Sequence, residues 1–233
     1  MKGNIYAPAT GDALYDDNLR RYMLGIYNYM GLGVTLTGLV AFVMSGLPWF
    51  ISLMATPFAW FIVLAPLALV FAMSFGLYRF SPEVLRAMFW IYCALMGASL
   101  STIFVIFTGE SIARTFFIAA AAFGALSFWG YTTKRDLSPF GQFLIMGVFG
   151  LIIAMVVNIF LASSVLQLTI SILGVLIFSG LTAWDTQRIK NEFFEHHGEE
   201  TLEKMVVINA LGLYLNFINL FMFLLQLFGN QQD

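Results

Sequence analysis

Charged residues are scarce in this sequence. Asp, Glu, Lys and Arg together make up 10% of the 233 residues, against 60% hydrophobic residues, whereas soluble domains average about 25% charged residues. A chain with so little charge and a mean hydropathy of +0.86 is not a soluble domain, and it is typical of a protein that crosses a membrane several times. The net charge of −2 also excludes the basic surface that nucleic-acid binding requires.

Reactive and metal-binding side chains are few as well. The single cysteine, Cys93, cannot form an internal disulfide, and we interpret it as a small packing residue. The two histidines, His196 and His197, lie in a charged segment that we interpret as a solvated loop and not as a metal site. No nucleophile–base pair, phosphate loop or metalloprotease motif is visible. We therefore expect no enzyme, no stable metal site and no resident cofactor.

Long apolar runs account for most of the chain. Seven of them have about 20 residues, the length that crosses a hydrocarbon core about 30 Å thick. They are predicted at 22–44, 57–78, 85–107, 112–131, 140–161, 166–184 and 206–228. We therefore predict an all-α integral membrane fold in which residues 22–228 form one seven-helix bundle. A polar cytosolic tail (1–21) precedes this bundle, and a short tail (229–233) follows it.

Prolines and glycines predict details of the helices. A capping residue precedes a proline at Thr56, Ser81 and Ser138, which predicts helix starts there. Pro66 falls inside the second span and removes the donor that would bond the Ile62 carbonyl, so a kink is predicted and Pro66 is a candidate hinge. In the first span the glycines suit close helix approach, and we interpret them as packing residues; they are Gly31, Gly33 and Gly38.

Basic residues are distributed unequally between the two sides of the predicted bundle. If the N-terminus is cytosolic, ten of the eleven Lys and Arg residues fall on the cytosolic side, and only Arg114 falls on the far side. Because Lys and Arg favour cytosolic loops, we predict a cytosolic N-terminus and a C-terminus on the far side. Glu110 then lies at the far mouth, where it is a candidate to attract cations or to pair with Arg114.

Asp185 is an ionisable residue at the end of the sixth apolar run. A charged carboxylate at the centre of a membrane helix costs about 3 kcal/mol, so we expect it to face protein or water. Its candidate charge partners are Arg79, Arg86 and Arg188. On the sixth span, Ser171 and Thr182 share the face of Asp185. A second polar face runs along the seventh span and consists of Asn209, Gly212, Asn216 and Asn219. Such faces either hold the bundle together or line a polar path.

Two segments carry a family resemblance. Residues 180–190 (Gly-Leu-Thr-Ala-Trp-Asp-Thr-Gln-Arg-Ile-Lys) and 213–221 (Leu-Tyr-Leu-Asn-Phe-Ile-Asn-Leu-Phe) resemble the two signature stretches of the Bax inhibitor-1 family. Residues 107–113 and 131–138 resemble its bacterial branch, and the resemblance covers the chain from about residue 19 to 229. It implies a seven-helix bundle with the last helix central, a bacterial inner membrane location, and a calcium leak that responds to pH.

The same resemblance assigns roles to particular positions. In the family an aspartate on the sixth helix and one on the seventh share a proton and control opening; Asp185 matches the first, but Asn216 occupies the second. One carboxylate facing an amide lacks the repulsion of two carboxylates, so we expect a pH response that is weaker or shifted toward acid. Calcium prefers several oxygen ligands, so any contact with it is expected to be transient. The candidate pore or ion contacts are Asn209, Asn219, Thr182 and Glu110.

Two alternatives to a pH-influenced cation leak stay open. Some bacterial relatives are thought to modulate a membrane-bound ATP-dependent protease, so the chain is alternatively a membrane interaction protein in stress response or quality control. The charged segment 188–204 and the N-terminal tail would then be its contact surfaces. An intramembrane enzyme is the third reading, for which the sequence shows no catalytic partner of Asp185.

Overall fold

A computed structural model describes residues 10–76, 79–193 and 198–232. Within these ranges the chain forms helices joined by short connections, with one isolated backbone bridge between Phe107 and Gln231. The described helices are α1 (Thr10–Ser45), α2 (Pro48–Met54), α3 (Ala59–Gly76), α4 (Pro82–Leu100), α5 (Ile103–Ile106), α6 (Gly109–Thr132), α7 (Ser138–Leu161), α8 (Ser164–Asn191) and α9 (Glu199–Phe228).

Seven spans in these ranges are long and apolar enough to cross a membrane, with α4 and α5 together forming the third. The predicted all-α membrane bundle is therefore confirmed, but several helices extend beyond their apolar runs. Helix α1 begins within the predicted polar tail, and α9 begins within the charged segment 188–204. Ion pairs one turn apart lie on both extensions, Asp17 with Arg21 at 2.7 Å and Glu200 with Lys204 at 2.8 Å. Hydropathy locates the apolar core of a span, whereas such pairs support helix in water.

The proline signals locate two helix starts closely and miss one. Helix α4 begins at Pro82 and α7 begins at Ser138, next to Pro139. The expected cap at Thr56 is wrong, because its hydroxyl donates to the Leu53 carbonyl at 2.6 Å and α3 begins only at Ala59. The connector before it contains the short helix α2.

Pro66 lies buried inside α3, and a neighbouring helix compensates for its missing amide hydrogen. The Ile62 carbonyl accepts a hydrogen bond from the Ser99 hydroxyl of α4 at 2.8 Å. A backbone carbonyl left unpaired in a membrane would be costly, so this bond stabilises α3 against α4. The hinge role of Pro66 stays a prediction.

Helix α9 is the most buried of the seven spans. In the apolar 18-residue stretch of its span, 67% of the residues are buried, against 33% or less in the corresponding stretch of each of the other six spans. It packs against α1, α4, α6 and α8, while α3 packs mainly on α4, and α7 packs on α8. Large apolar side chains such as Phe75 and Phe160 point outward from α3 and α7, as is expected for a surface that contacts lipid.

The glycines of the first span do not share one role. A Cβ atom at Gly33 would lie 2.8 Å from the Phe89 ring, so this glycine permits close packing of α1 on α4. No protein atom lies within 4 Å of a Cβ built at Gly31 or Gly38. The packing role predicted for all three therefore applies to Gly33 and is wrong for Gly31 and Gly38.

Candidate functional site

Asp185 lies near the end of α8 with a partner on each carboxylate oxygen. Arg188, one turn later on the same helix, places Nη2 2.7 Å from Oδ1. Asn216, on α9, donates from Nδ2 to Oδ2 at 2.7 Å. The Asp185 side chain is only 11% exposed, and a carboxylate this buried needs such partners because it has lost most of its water. The Arg188 bond lies within α8, and the Asn216 bond joins α8 to α9 at this level of the bundle.

Only one of the three candidate arginines is the partner of Asp185. Arg188 also stacks over the Trp184 ring, with its guanidinium carbon 5.0 Å from the ring centroid. Arg86 instead pairs with Glu203 at 2.8 Å, which connects α4 to α9. Arg79 has no ion pair with any residue in the part of the chain that the structure describes. Sequence spacing favours Arg188, since residues three apart are neighbours on a helix.

The other polar residues predicted on the two faces do not converge on Asp185. Thr182 donates to the Phe178 carbonyl at 2.7 Å, and Asn219 donates to the Leu215 carbonyl at 2.8 Å, so both bond within their own helices. Asn209 bonds instead to the Tyr22 hydroxyl of α1, at 2.9 Å. Of the polar residues on α9, Asn216 is therefore the one that contacts the carboxylate.

A hydroxyl cluster that the sequence did not indicate lies beside the Asp185 site. The Thr186 hydroxyl lies 3.2 Å from the Tyr27 hydroxyl of α1 and 3.3 Å from the Ser127 hydroxyl of α6. It also donates to the Thr182 carbonyl at 2.9 Å. Ser127 is an isolated polar residue in an apolar run, whereas Tyr27 is followed by Asn28 and Tyr29, and no spacing pattern relates either hydroxyl to Thr186. The cluster links α1, α6 and α8 next to the carboxylate.

Gln187 fixes the loop before α7 to the same end of α8. Its Oε1 accepts the Leu137 amide at 2.8 Å, and its Nε2 donates to the Arg135 carbonyl at 2.8 Å. Within this loop, Asp136 accepts the Ser138 amide at 2.9 Å, and this hydrogen bond lowers the pKa of the exposed Asp136 carboxyl. The loop and the site residues thus belong to one hydrogen-bonded end of the bundle.

Away from Asp185, aromatic rings and amides fill the interface between α8 and α9. The Phe178 and Phe223 rings stack with their centroids 5.8 Å apart, and a Cβ at Gly174 would collide with Phe223. Toward the other membrane face, the Gln226 carbonyl oxygen accepts from Ser171 and Gln167, both at 2.9 Å. These side chains therefore pack α8 against α9 at both levels.

Glu110 and Arg114 lie at that other face and do not pair. Arg114 donates to the Phe228 carbonyl at 3.3 Å instead. Of the two alternatives for Glu110, pairing with Arg114 is therefore wrong, because the end of α9 offers the guanidinium a backbone acceptor. Glu110 lies in the first turn of α6, near the N-terminal end of its dipole, where a carboxylate is favoured.

The described residues contain no group of three or more His, Cys, Asp or Glu that could hold a metal ion. At Asp185, Arg188 and Asn216 already occupy the carboxylate oxygens, whereas calcium takes about six to eight oxygen ligands. A calcium ion here would compete with Arg188 for the carboxylate. The histidines His196 and His197 lie outside the described residues.

Comparison with known proteins gives one family and several relatives. A family model described as inhibitor of apoptosis-promoting Bax1 matches residues 19–233. An uncharacterised protein of Rickettsia prowazekii is 46% identical over 222 residues, which cover 94% of this chain and 93% of the relative. An uncharacterised protein of Caulobacter vibrioides is 44% identical over 233 residues, with 95% and 93% covered. The Escherichia coli inner membrane protein YbhL is 42% identical over 218 residues, with 92% and 93% covered.

Proposed function

The chain belongs to the Bax inhibitor-1 family, and from that membership we propose that it is a cation leak channel whose opening is controlled by Asp185 and Asn216. Calcium is the proposed permeant ion, and the activity needs neither an enzymatic step nor a resident cofactor. The observation that supports the proposal most directly is a buried carboxylate that joins two membrane helices through a single hydrogen bond from Asn216. A buried ionisable group in a membrane helix is most often functional.

The path proposed here runs between α8 and α9, which are packed together in this conformation. To open it, the Asn216 amide has to leave the Asp185 carboxylate, and the stacked Phe178 and Phe223 rings have to separate. Asp185 then offers a carboxylate to a passing cation, while Arg188 keeps that contact weak. Weak binding suits permeation, because an ion that binds tightly does not leave.

Protons influence this path through the same carboxylate. Protonation of Asp185 removes the negative charge that holds Arg188 at 2.7 Å and that accepts the Asn216 amide. Charge-assisted hydrogen bonds are about twice as strong as neutral ones, so the neutral carboxyl holds α9 less firmly. We propose that acid loosens the contact between α8 and α9, and that the asparagine makes the response weaker than an aspartate pair would.

The membrane orientation is part of the proposal. Of the ten Lys and Arg residues that the structure describes, nine fall on the side at which the first span begins, which by the positive-inside rule is cytosolic. Asp185 then lies at the cytosolic end of α8, and Glu110 lies at the far side. A bacterial inner membrane is the proposed location, supported by the name of the Escherichia coli relative.

Flux measurements in liposomes test the proposal. The full chain is reconstituted, and calcium uptake is compared at about pH 6 and about pH 8 for the unaltered protein, Asp185→Asn and Asn216→Asp. We expect Asp185→Asn to change the flux or abolish its pH dependence, because the amide cannot ionise. We expect Asn216→Asp to steepen the pH dependence, because two adjacent carboxylates titrate as a coupled pair.

An exposed ion pair provides the matched control. Asp17→Asn makes the same chemical change beside an arginine at the same 2.7 Å separation, but on the exposed start of the first span. It should leave the flux and its pH dependence unchanged. If Asp185→Asn and Asp17→Asn both behave like the unaltered protein, Asp185 does not control the path.

A second candidate function is an interaction protein in stress response, with a membrane-bound quality-control protease as its partner. The exposed charge at the ends of α8 and α9 favours it, since Glu200 is 69% exposed and Glu192 is 41% exposed. Replacing these two glutamates by glutamine should weaken binding to such a partner and leave calcium flux unchanged. Loss of flux in that variant would count against two separable activities.

A further inference from the structure

The first span and α6 both pack against α9 but scarcely touch each other, and a crevice separates them. Its larger part has a volume of about 870 Å³, within the range of about 300–1,000 Å³ that small-molecule sites occupy. One end is polar, with Arg20, Tyr27, Ser127 and Tyr131, whereas the walls toward the middle of the membrane are apolar, for example at Val34 and Phe116. The crevice is therefore amphipathic along its length.

A second cavity continues the crevice toward the opposite membrane face. It has a volume of about 250 Å³ and shares Val34, Phe116 and Phe217 with the first. From Arg20 to Ala41 the two cavities follow α1 for about 30 Å at 1.5 Å per residue. The opening between α1 and α6 is thus comparable in length to the hydrocarbon core.

Small residues keep this crevice open. Gly31 and Gly124 line its first part, Gly38 and Gly109 line its second part, and no protein atom lies within 4 Å of a Cβ built at any of the four. In a membrane bundle, glycines commonly allow two helices to approach closely. These four face a space that the protein leaves unfilled, so packing between helices does not account for them.

The polar end of the crevice carries unbalanced positive charge. Arg20 has no ion pair with any residue whose side chain the structure describes, whereas its neighbour Arg21 is paired with Asp17 at 2.7 Å. The nearby carboxylate of Asp185 is neutralised by Arg188. Lys190 does not line the crevice; its ammonium donates to the Tyr131 carbonyl at 2.9 Å and lies 4.7 Å from the Tyr131 ring centroid. An anion at this end would meet the Arg20 guanidinium beside Tyr27 and Tyr131.

We propose that the crevice binds one membrane phospholipid with an anionic headgroup. The headgroup lies against Arg20 and Tyr131, one acyl chain lies between α1 and α6 along Gly31 and Gly124, and the second chain stays in the bilayer. The apolar walls fit a hydrocarbon chain and not a hydrated ion, and the free cation selects an anionic headgroup over a zwitterionic one. The bound lipid contacts α9 at Phe217, the residue after Asn216. The assignment does not depend on ion flux.

Native mass spectrometry of the purified full chain in mixed micelles tests this assignment. The micelles contain equal amounts of phosphatidylglycerol, which is anionic, and phosphatidylcholine, which is zwitterionic. We expect the unaltered protein to retain one phosphatidylglycerol in preference. Arg20→Gln should lower that preference about fivefold, and Gly124→Leu, which fills the crevice, should lower retention of both lipids about tenfold.

Each variant has a control of the same chemistry outside the crevice. Arg21→Gln removes an adjacent arginine that is already paired with Asp17. Gly150→Leu adds the same bulk to an exposed glycine of α7, where no protein atom lies within 4 Å of a built Cβ. Both controls should retain phosphatidylglycerol like the unaltered protein. Equal retention of the two lipids by the unaltered protein, preferential retention of free fatty acid, or full retention by Gly124→Leu would each overturn the assignment.

Discussion

Replacing Arg188 should show how much the burial of the Asp185 carboxylate contributes to the stability effect of its ion pair. In the Arg188→Gln variant, Asp185 keeps the Asn216 hydrogen bond but loses its cation while 11% of its side chain is exposed. Breaking a fully buried ion pair by removing one partner costs about 3–5 kcal/mol. Because Arg188 is itself 39% exposed, solvent screens part of the pair, and we expect a loss of stability of about 1–3 kcal/mol.

The exposed ion pair between Asp17 and Arg21 has the same separation as the buried pair between Asp185 and Arg188. Asp17 and Arg21 are also 2.7 Å apart, but their side chains are 49% and 77% exposed. Exposed pairs contribute about 0–1 kcal/mol, so Arg21→Gln should change stability far less than Arg188→Gln. Thermal unfolding of the two variants in the same detergent, followed by circular dichroism, makes the comparison.

A double variant separates the charge from the packing of the Arg188 side chain. If an uncompensated carboxylate causes the loss, adding Asp185→Asn to Arg188→Gln should restore much of the stability. Equal melting-temperature shifts for Arg188→Gln and Arg21→Gln, or no recovery in the double variant, would refute the reasoning from burial. Recovery without a change in secondary structure would support it.

Two further predictions concern the helix that carries Pro66 and the loop before α7. Ser99→Ala should lower stability by about 1–3 kcal/mol in a thermal melt, since it leaves the Ile62 carbonyl without a donor. The control Thr35→Ala removes a hydroxyl that bonds only within α1, and it should not lower stability by this amount. The pKa of Asp136 is lowered in the folded chain, so its bond to the Ser138 amide should stabilise the loop above its unfolded pKa of about 3.9. That contribution should be lost as the pH falls through the lowered folded value. Protection of the Ser138 amide against hydrogen exchange, relative to its intrinsic rate, should therefore fall in acid, and Asp136→Asn, whose amide does not ionise, should abolish that pH dependence of the protection.

The class of the protein and the number of its membrane helices follow from the sequence alone. Each span must satisfy its backbone hydrogen bonds internally because lipid offers no partners, so a run of about 20 apolar residues predicts a helix with no knowledge of its neighbours. The same local logic explains the start of α4 at Pro82 and the pairing of Asp185 with Arg188, one turn away. These features depend on residues close together in the chain.

Which residues meet across helices depends on the packing of the whole bundle. Gly31 and Gly33 lie two positions apart, yet one faces an open crevice and the other faces Phe89, because the rotation of α1 about its axis sets the direction of each side chain. The contacts of Thr186 with Tyr27 and Ser127 join positions far apart in the chain, and no periodic pattern records them. Rotation and relative height of the helices follow from the packing of all spans on α9 and its neighbours, so the crevice and the hydroxyl cluster exist only in the assembled bundle.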